Sequence, residues 1–290
     1  MKKALLVISF GTSYPQARQK NIEACEQALA NAFPDRDFFR AFTSSMIIKK
    51  LSQRDGLVID QPRQALAALQ RAGYQDVLIQ SLHIINGDEY EKIVREVADC
   101  KDQFARLEVG VPLLSHEDDY QRLIDALEHQ SPPLAADERL VLMGHGTTHH
   151  AFAAYACLDH MLQARQRPFM VGAVESYPGI DTLIARLQQA QVRKVYLMPL
   201  MLVAGDHAIH DMASDDPDSW KVQIQQAGIV AEPIVQGLGE NPLIRQLFID
   251  HLAAVSSSEM TAQASGAASQ TPQTVQPSVM TSRPVKESVA

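Results

Sequence analysis

Short apolar runs rich in Val, Ile and Leu alternate along the chain with longer stretches whose apolar positions recur at helical spacing. The runs predict strands at 4–10, 37–42, 76–85, 105–111, 139–144, 169–174, 193–203 and 229–235. The longer stretches predict helices at 15–32, 44–54, 61–73, 88–102, 116–130, 148–165, 179–190, 218–227 and 242–254. Strands this uniformly apolar are buried on both faces, the habit of a parallel sheet covered by helices. The expected class is α/β.

The pattern also repeats. The run from Val77 to Glu89 matches the run from Val195 to His207 at a constant offset of 118, placing Gly87 on Gly205, Asp88 on Asp206 and Glu89 on His207. The openings are alike as well. Val7 to Ser13 matches Leu142 to Thr148 at an offset of 135, with Phe10 on His145, Gly11 on Gly146 and Thr12 on Thr147. Two similar doubly wound parallel-sheet lobes related by a pseudo-twofold account for this economically. The N-terminal lobe is expected over 1–132 and the C-terminal lobe over 133–255, divided where Ser131-Pro132-Pro133 ends a helix. Residues 256–290 are Ser-, Thr-, Ala-, Gln- and Pro-rich and are expected to form a disordered tail, because they cannot bury enough apolar surface to offset ordering.

Composition narrows the field. A chain of 290 residues with 46% hydrophobic content can bury a core without disulfides. A net charge of -8 argues against a general nucleic-acid binder. The three cysteines, Cys25, Cys100 and Cys157, form no Cys-x-x-Cys pair and are expected to pack as small hydrophobes. No apolar run is long enough to span a membrane, and the N-terminal run reads as a buried strand and not a signal peptide. The expected location is cytoplasmic, with neither membrane nor nucleic-acid partners. The oligomeric state stays open, a homo-oligomer included.

Ligands in open α/β folds bind outside the carboxyl ends of the strands. Phe10, Glu89, His145 and His207 all fall there, and facing lobes would bring the four to one cleft. Two imidazoles and a carboxylate suit a divalent first-row metal, and a histidine near neutral pKa also accepts a proton. Bland alternatives stand beside this: a hydrogen-bonded structural histidine for His145, and a helix-terminal carboxylate for Glu89. Glycines 144 and 146 around His145 fit close approach of the backbone to a ligand. His149, His150, His160 and His210 read as surface or structural residues, His83 as a structural residue within a strand, and Met198, Met201 and Met212 as packing. A dinucleotide fingerprint, a phosphate-binding Gly-Lys loop, a zinc-protease His pair and a nucleophile elbow are all missing from the sequence.

Ser9-Phe-Gly-Thr-Ser13, Ser81 to Lys92, Met143-Gly-His-Gly146, His149 to His160 and Met198 to His207 closely resemble the CbiK-type cobalt chelatases of anaerobic cobalamin biosynthesis, over residues 1–255. The resemblance implies a two-lobed class II chelatase that inserts Co²⁺ into the tetrapyrrole sirohydrochlorin, or precorrin-2, without ATP or another nucleotide. It implies His145 as proton acceptor and metal ligand, with His207 and Glu89 as further ligands. Ser9, Phe10, Thr12 and Ser13 are added as candidates for holding the substrate. Iron or nickel insertion, a non-catalytic metal or tetrapyrrole carrier, and a two-lobed binder of some other small molecule are the alternatives.

Overall fold

Along β1 (Lys2–Ser9) the side chains alternate between two interiors, and that alternation organises the molecule. Leu5 and Val7 enter a central cluster, whereas Ala4, Leu6 and Ile8 enter a cluster on the other face of the sheet. The same division recurs along β5 (Glu138–Gly144). Leu140 and Leu142 join the central cluster, while Val141 and Met143 face a third. Each half thus has its own outer core and both share the middle one. The uniform hydrophobicity of the strands follows from burial on both faces.

The computed structural model describes residues 1–266, with backbone alone for 258–266. After β1 come α1 (Pro15–Ala17), a π-helical stretch (Arg18–Glu23), α2 (Ala24–Ala32), β2 (Asp37–Phe42), α3 (Ser45–Asp55) and α4 (Pro62–Arg71). They are followed by β3 (Tyr74–Ser81), α5 (Asp88–Ala98), β4 (Arg106–Gly110) and α6 (Glu117–Gln130). The second half carries β5, α7 (Ala153–Ala164), β6 (Phe169–Ala173), α8 (Ile180–Gln189), β7 (Lys194–Pro199), α9 (Trp220–Gln226), β8 (Val230–Pro233) and α10 (Pro242–Gly266). The two sheets have the same order, β2-β1-β3-β4 and β6-β5-β7-β8, and every pairing is parallel. Local chemistry sets the helix ends. Ser44 caps α3 by accepting from the Ile47 N–H, and Gly56 closes that helix at a φ of 66°.

Two expected strands are shorter than their apolar runs. The ladders of β3 and β7 end at Ser81 and Pro199, yet Leu82 and Leu200 remain buried because both pack into the central cluster after leaving the sheet. The helix expected over 242–254 continues to Gly266. It lies against the first half: His251 bonds Asp119 and Arg122 bonds Asp250, both from α6, while Arg106 donates to the carbonyls of Val255 and Ser256. Residues Met1–Ser256 form one compact unit. Of the segment expected to be disordered, 267–290 lies outside the described residues. Cys25 and Cys100 are buried as expected, but Cys157 sits on the exposed face of α7. No helix of the described residues is long and apolar enough to cross a membrane.

Candidate active site

Each half opens with the same device. Two residues beyond β1 stands Gly11 and two beyond β5 stands Gly146, with φ of 94° and 90°, a conformation that L side chains rarely adopt. The next residue then folds its hydroxyl back on the chain: Thr12 accepts from the Tyr14 N–H at 3.3 Å, and Thr147 from the His149 N–H at 3.0 Å. Neither glycine is there to admit a ligand. A Cβ at Gly146 would meet the backbone N of Glu175 and of Ser176 at 2.8 Å, and one at Gly144 would meet the Tyr155 ring at 2.4 Å. At both positions the protein's own packing requires glycine.

The opening loop of each half touches the Gly-Asp turn of the other. The Tyr14 hydroxyl donates to Asp206 at 2.8 Å, and the Thr147 hydroxyl to Asp88 at 3.4 Å. Asp88 and Asp206 are the matched residues of the repeat, so these contacts are reciprocal. They bring the carboxyl ends of β1, β3, β5 and β7 to one place.

His145 and His207 meet there, their rings edge to face with centroids 4.4 Å apart. The Nδ1 of His145 lies 3.0 Å from the Gly146 carbonyl, and that of His207 lies 2.5 Å from the Asp211 carboxylate. Both partners only accept, so in the neutral form of each ring Nδ1 carries the proton and Nε2 the lone pair. Asp211 reaches His207 across a π-helical turn, Ala208–Met212, which begins directly after that histidine. The third member of this cluster is Glu175, whose carboxylate lies 3.5 Å from His145 Nδ1. Glu175 was not foreseen. Its amide bonds the His145 carbonyl just as the Ser44 amide bonds the Phe10 carbonyl, so the two residues hold matching places in the folded halves.

Glu89 stands outside that trio, in the first turn of α5. Its Oε2 is sealed from solvent without a hydrogen-bond partner. A carboxylate oxygen left so is costly and calls for a ligand to explain it. Beside it, burial pushes His83 down to about 4 against the upward pull of Glu89, so this imidazole is neutral at physiological pH. His83 Nδ1 is bonded to Ser81, and its Nε2, like the Glu89 oxygen, is buried with no partner among the described residues.

The four substrate candidates separate. Phe10 is 46% exposed, whereas Ser9, Thr12 and Ser13 are buried. The Thr12 hydroxyl already holds the turn, and the Ser13 carbonyl accepts from Arg54. Two further clusters of metal-ligating types have other work. His149 uses both nitrogens, toward Glu91 and the Ala151 N–H. Asp119 caps α6 and holds His251 of α10.

The family model described as cobalt chelatase (CbiK) matches residues 3–257. The sirohydrochlorin cobaltochelatase of Salmonella typhimurium is 64% identical over 252 residues, 87% of this chain and 96% of that protein. A sirohydrochlorin cobaltochelatase, CbiKC, of Nitratidesulfovibrio vulgaris is 33% identical over 88% of this chain and 91% of its own. Among solved structures, SirB from Bacillus subtilis with Fe³⁺ superposes with a TM-score of 0.58 at 14% identity, covering 90% of this chain and 98% of SirB. CbiX, from siroheme biosynthesis in denitrifying bacteria, gives 0.51 at 18% identity, covering 87% and 98%. These two likenesses establish the chelatase-like fold.

Proposed function

The chain belongs to the CbiK family of cobalt chelatases, and from that premise we propose that it inserts Co²⁺ into sirohydrochlorin without ATP. The observation that carries this is the imidazole pair: two rings in contact, each with Nδ1 tied to an acceptor and Nε2 free, at the strand ends where the halves meet. Two neutral imidazoles and a carboxylate bind a first-row divalent ion while leaving coordination positions open, as a metal that must be handed on requires.

In this proposal His145, His207 and Glu89 hold the incoming Co²⁺. The partnerless oxygen of Glu89 supports its part in the set. Co²⁺ replaces two N–H protons of the macrocycle, so two protons must leave the centre of the ring. As the ion passes to the pyrrole nitrogens, Nε2 of His145 is released and accepts one of them. A nitrogen lone pair serves metal and proton in turn, never together. The resulting imidazolium has its Nδ1–H near the Glu175 carboxylate, and Glu175 is exposed enough to pass the proton to water. The second proton leaves by way of Glu89 once the metal has gone. Positioning of ring and ion contributes the rest.

The test is anaerobic absorbance spectroscopy of sirohydrochlorin plus Co²⁺ with substoichiometric protein, run in parallel with Fe²⁺ and Ni²⁺. Multiple turnovers are expected with Co²⁺, and His145→Ala should lower the rate by about 10²- to 10⁴-fold while keeping the fold. Binding of both substrates without turnover would make the protein a carrier.

A further inference from the structure

The helix beside Phe10 carries cations that the fold does not use. Ser44, the cap of α3, bonds the Phe10 carbonyl, so α3 starts at the wall of the cleft. Met46, Lys49, Lys50 and Arg54 line a groove of about 440 Å³ along it. Arg54 pairs with Asp55 and donates to the Ser13 carbonyl. Lys49 and Lys50 are exposed, and among the described residues no carboxylate lies within 4.0 Å of either ammonium. Lys20, Arg71, Lys92 and Lys101 also lack a carboxylate or carbonyl partner among the described residues, so what marks the α3 pair is its place beside Tyr14 and Phe10. The groove also adjoins Tyr14 of the first opening loop. Lys50 Nζ is 5.9 Å from the Tyr14 ring, whose hydroxyl bonds Asp206, the residue before His207. Between the lysines and Phe10 lies Met46, 71% exposed, an apolar side chain with no core to join. The second half has no counterpart of α3, since α8 stands at the 118-residue offset from α4.

An exposed aromatic and a thioether bordered by two unpaired ammonium groups fit a flat apolar ring with acidic arms. We propose that Lys49 and Lys50 on α3 bind carboxylate side chains of the macrocycle while Phe10 and Met46 carry its edge. This rests on the function proposed above and assigns α3 the substrate's acids, while His145, His207 and Glu89 hold the metal. The lysines offset the repulsion between an acidic protein and a polyanionic substrate at the one place where the two must meet.

The test is equilibrium binding of metal-free sirohydrochlorin, followed by its absorbance and fluorescence, to the full chain and to Lys49→Glu/Lys50→Glu. At low salt the double variant should bind about 10-fold more weakly, and at about 0.5 M salt the gap should shrink to within about twofold. The milder Lys49→Gln/Lys50→Gln should fall between, with an unchanged melting temperature, so that a misfolded variant cannot mimic the result. In turnover, KM for the macrocycle should rise and KM for Co²⁺ should not. Arg71→Glu/Lys101→Glu, which reverses two exposed cations elsewhere, serves as the control and should match wild type. Equal affinity of the α3 variants and wild type at low salt overturns the inference. Because binding is read without metal, a wild type that binds but does not insert cobalt defeats the proposed reaction and leaves this inference standing.

Discussion

The carboxyl ends of β1 and β5 carry the same backbone and opposite chemistry. In the second half His145, Glu175 and His207 converge. At the matching places in the first half stand Phe10, Ser44 and Glu89, with the cationic face of α3 alongside. The turn glycines, the threonine turns and the reciprocal aspartate contacts are common to both. A duplicated scaffold has therefore kept what shapes the loops and exchanged what faces the cleft. Positions that hold the backbone should respond alike in the two halves, and positions that meet ligands should not.

The largest contrast is expected between His145→Ala and Phe10→Ala. The first should remove about 10²- to 10⁴-fold of the insertion rate, whereas the second should change KM for the macrocycle by less than about 10-fold. Similar losses of kcat in both would break the division between the halves. The carboxylates come next. Glu89→Gln should raise KM for Co²⁺ by about 10- to 100-fold, whereas Glu175→Gln should lower kcat and leave the Co²⁺ dependence alone. The reverse pattern would make Glu175 the ligand. Gly11→Ala and Gly146→Ala should each cost about 1–3 kcal/mol in denaturant unfolding, since both need positive φ and both Cβ atoms would collide. A tolerant Gly146 would show that the turn is not shared.

The smallest effect concerns a cluster that looks like a metal site and is a clasp. Burial alone would raise the Asp119 carboxyl, but bonds from His251 and from the His116 and Ser115 amides outweigh it and hold the group below its ordinary 3.8. A depressed carboxyl contributes stability that is present above 3.8 and is lost as the pH falls through the lower folded value. Asp119→Asn should cost about 1–2 kcal/mol at pH 7 and flatten the acid limb of the stability profile. An unchanged profile would mean that α10 is held by its apolar contacts alone.

Much of this was legible in the chain. The strands were readable because burial on both faces leaves long apolar runs, and the repeat because two copies of a fold keep glycines where φ is positive. His145 and His207 stood out as histidines in matched strand-end turns. Glu175 did not, because it follows a different strand and nothing near it in sequence marks it. The hydroxyls of Thr12 and Ser13 looked available in sequence and are enclosed in the fold. Lys49 and Lys50 were not singled out in the sequence, because the place of Lys50 beside Tyr14 is a contact of the folded chain.

The sequence by itself thus determined the class, the duplicated order of elements and the two imidazoles, since each depends on periodicity or on residues close along the chain. Only the tertiary structure decided that the two imidazoles meet, which carboxylates come near, that the last helix clasps the first half, and that the basic groove of α3 lies beside Tyr14. Those are contacts between residues remote in sequence, set by how the two halves close on their shared core.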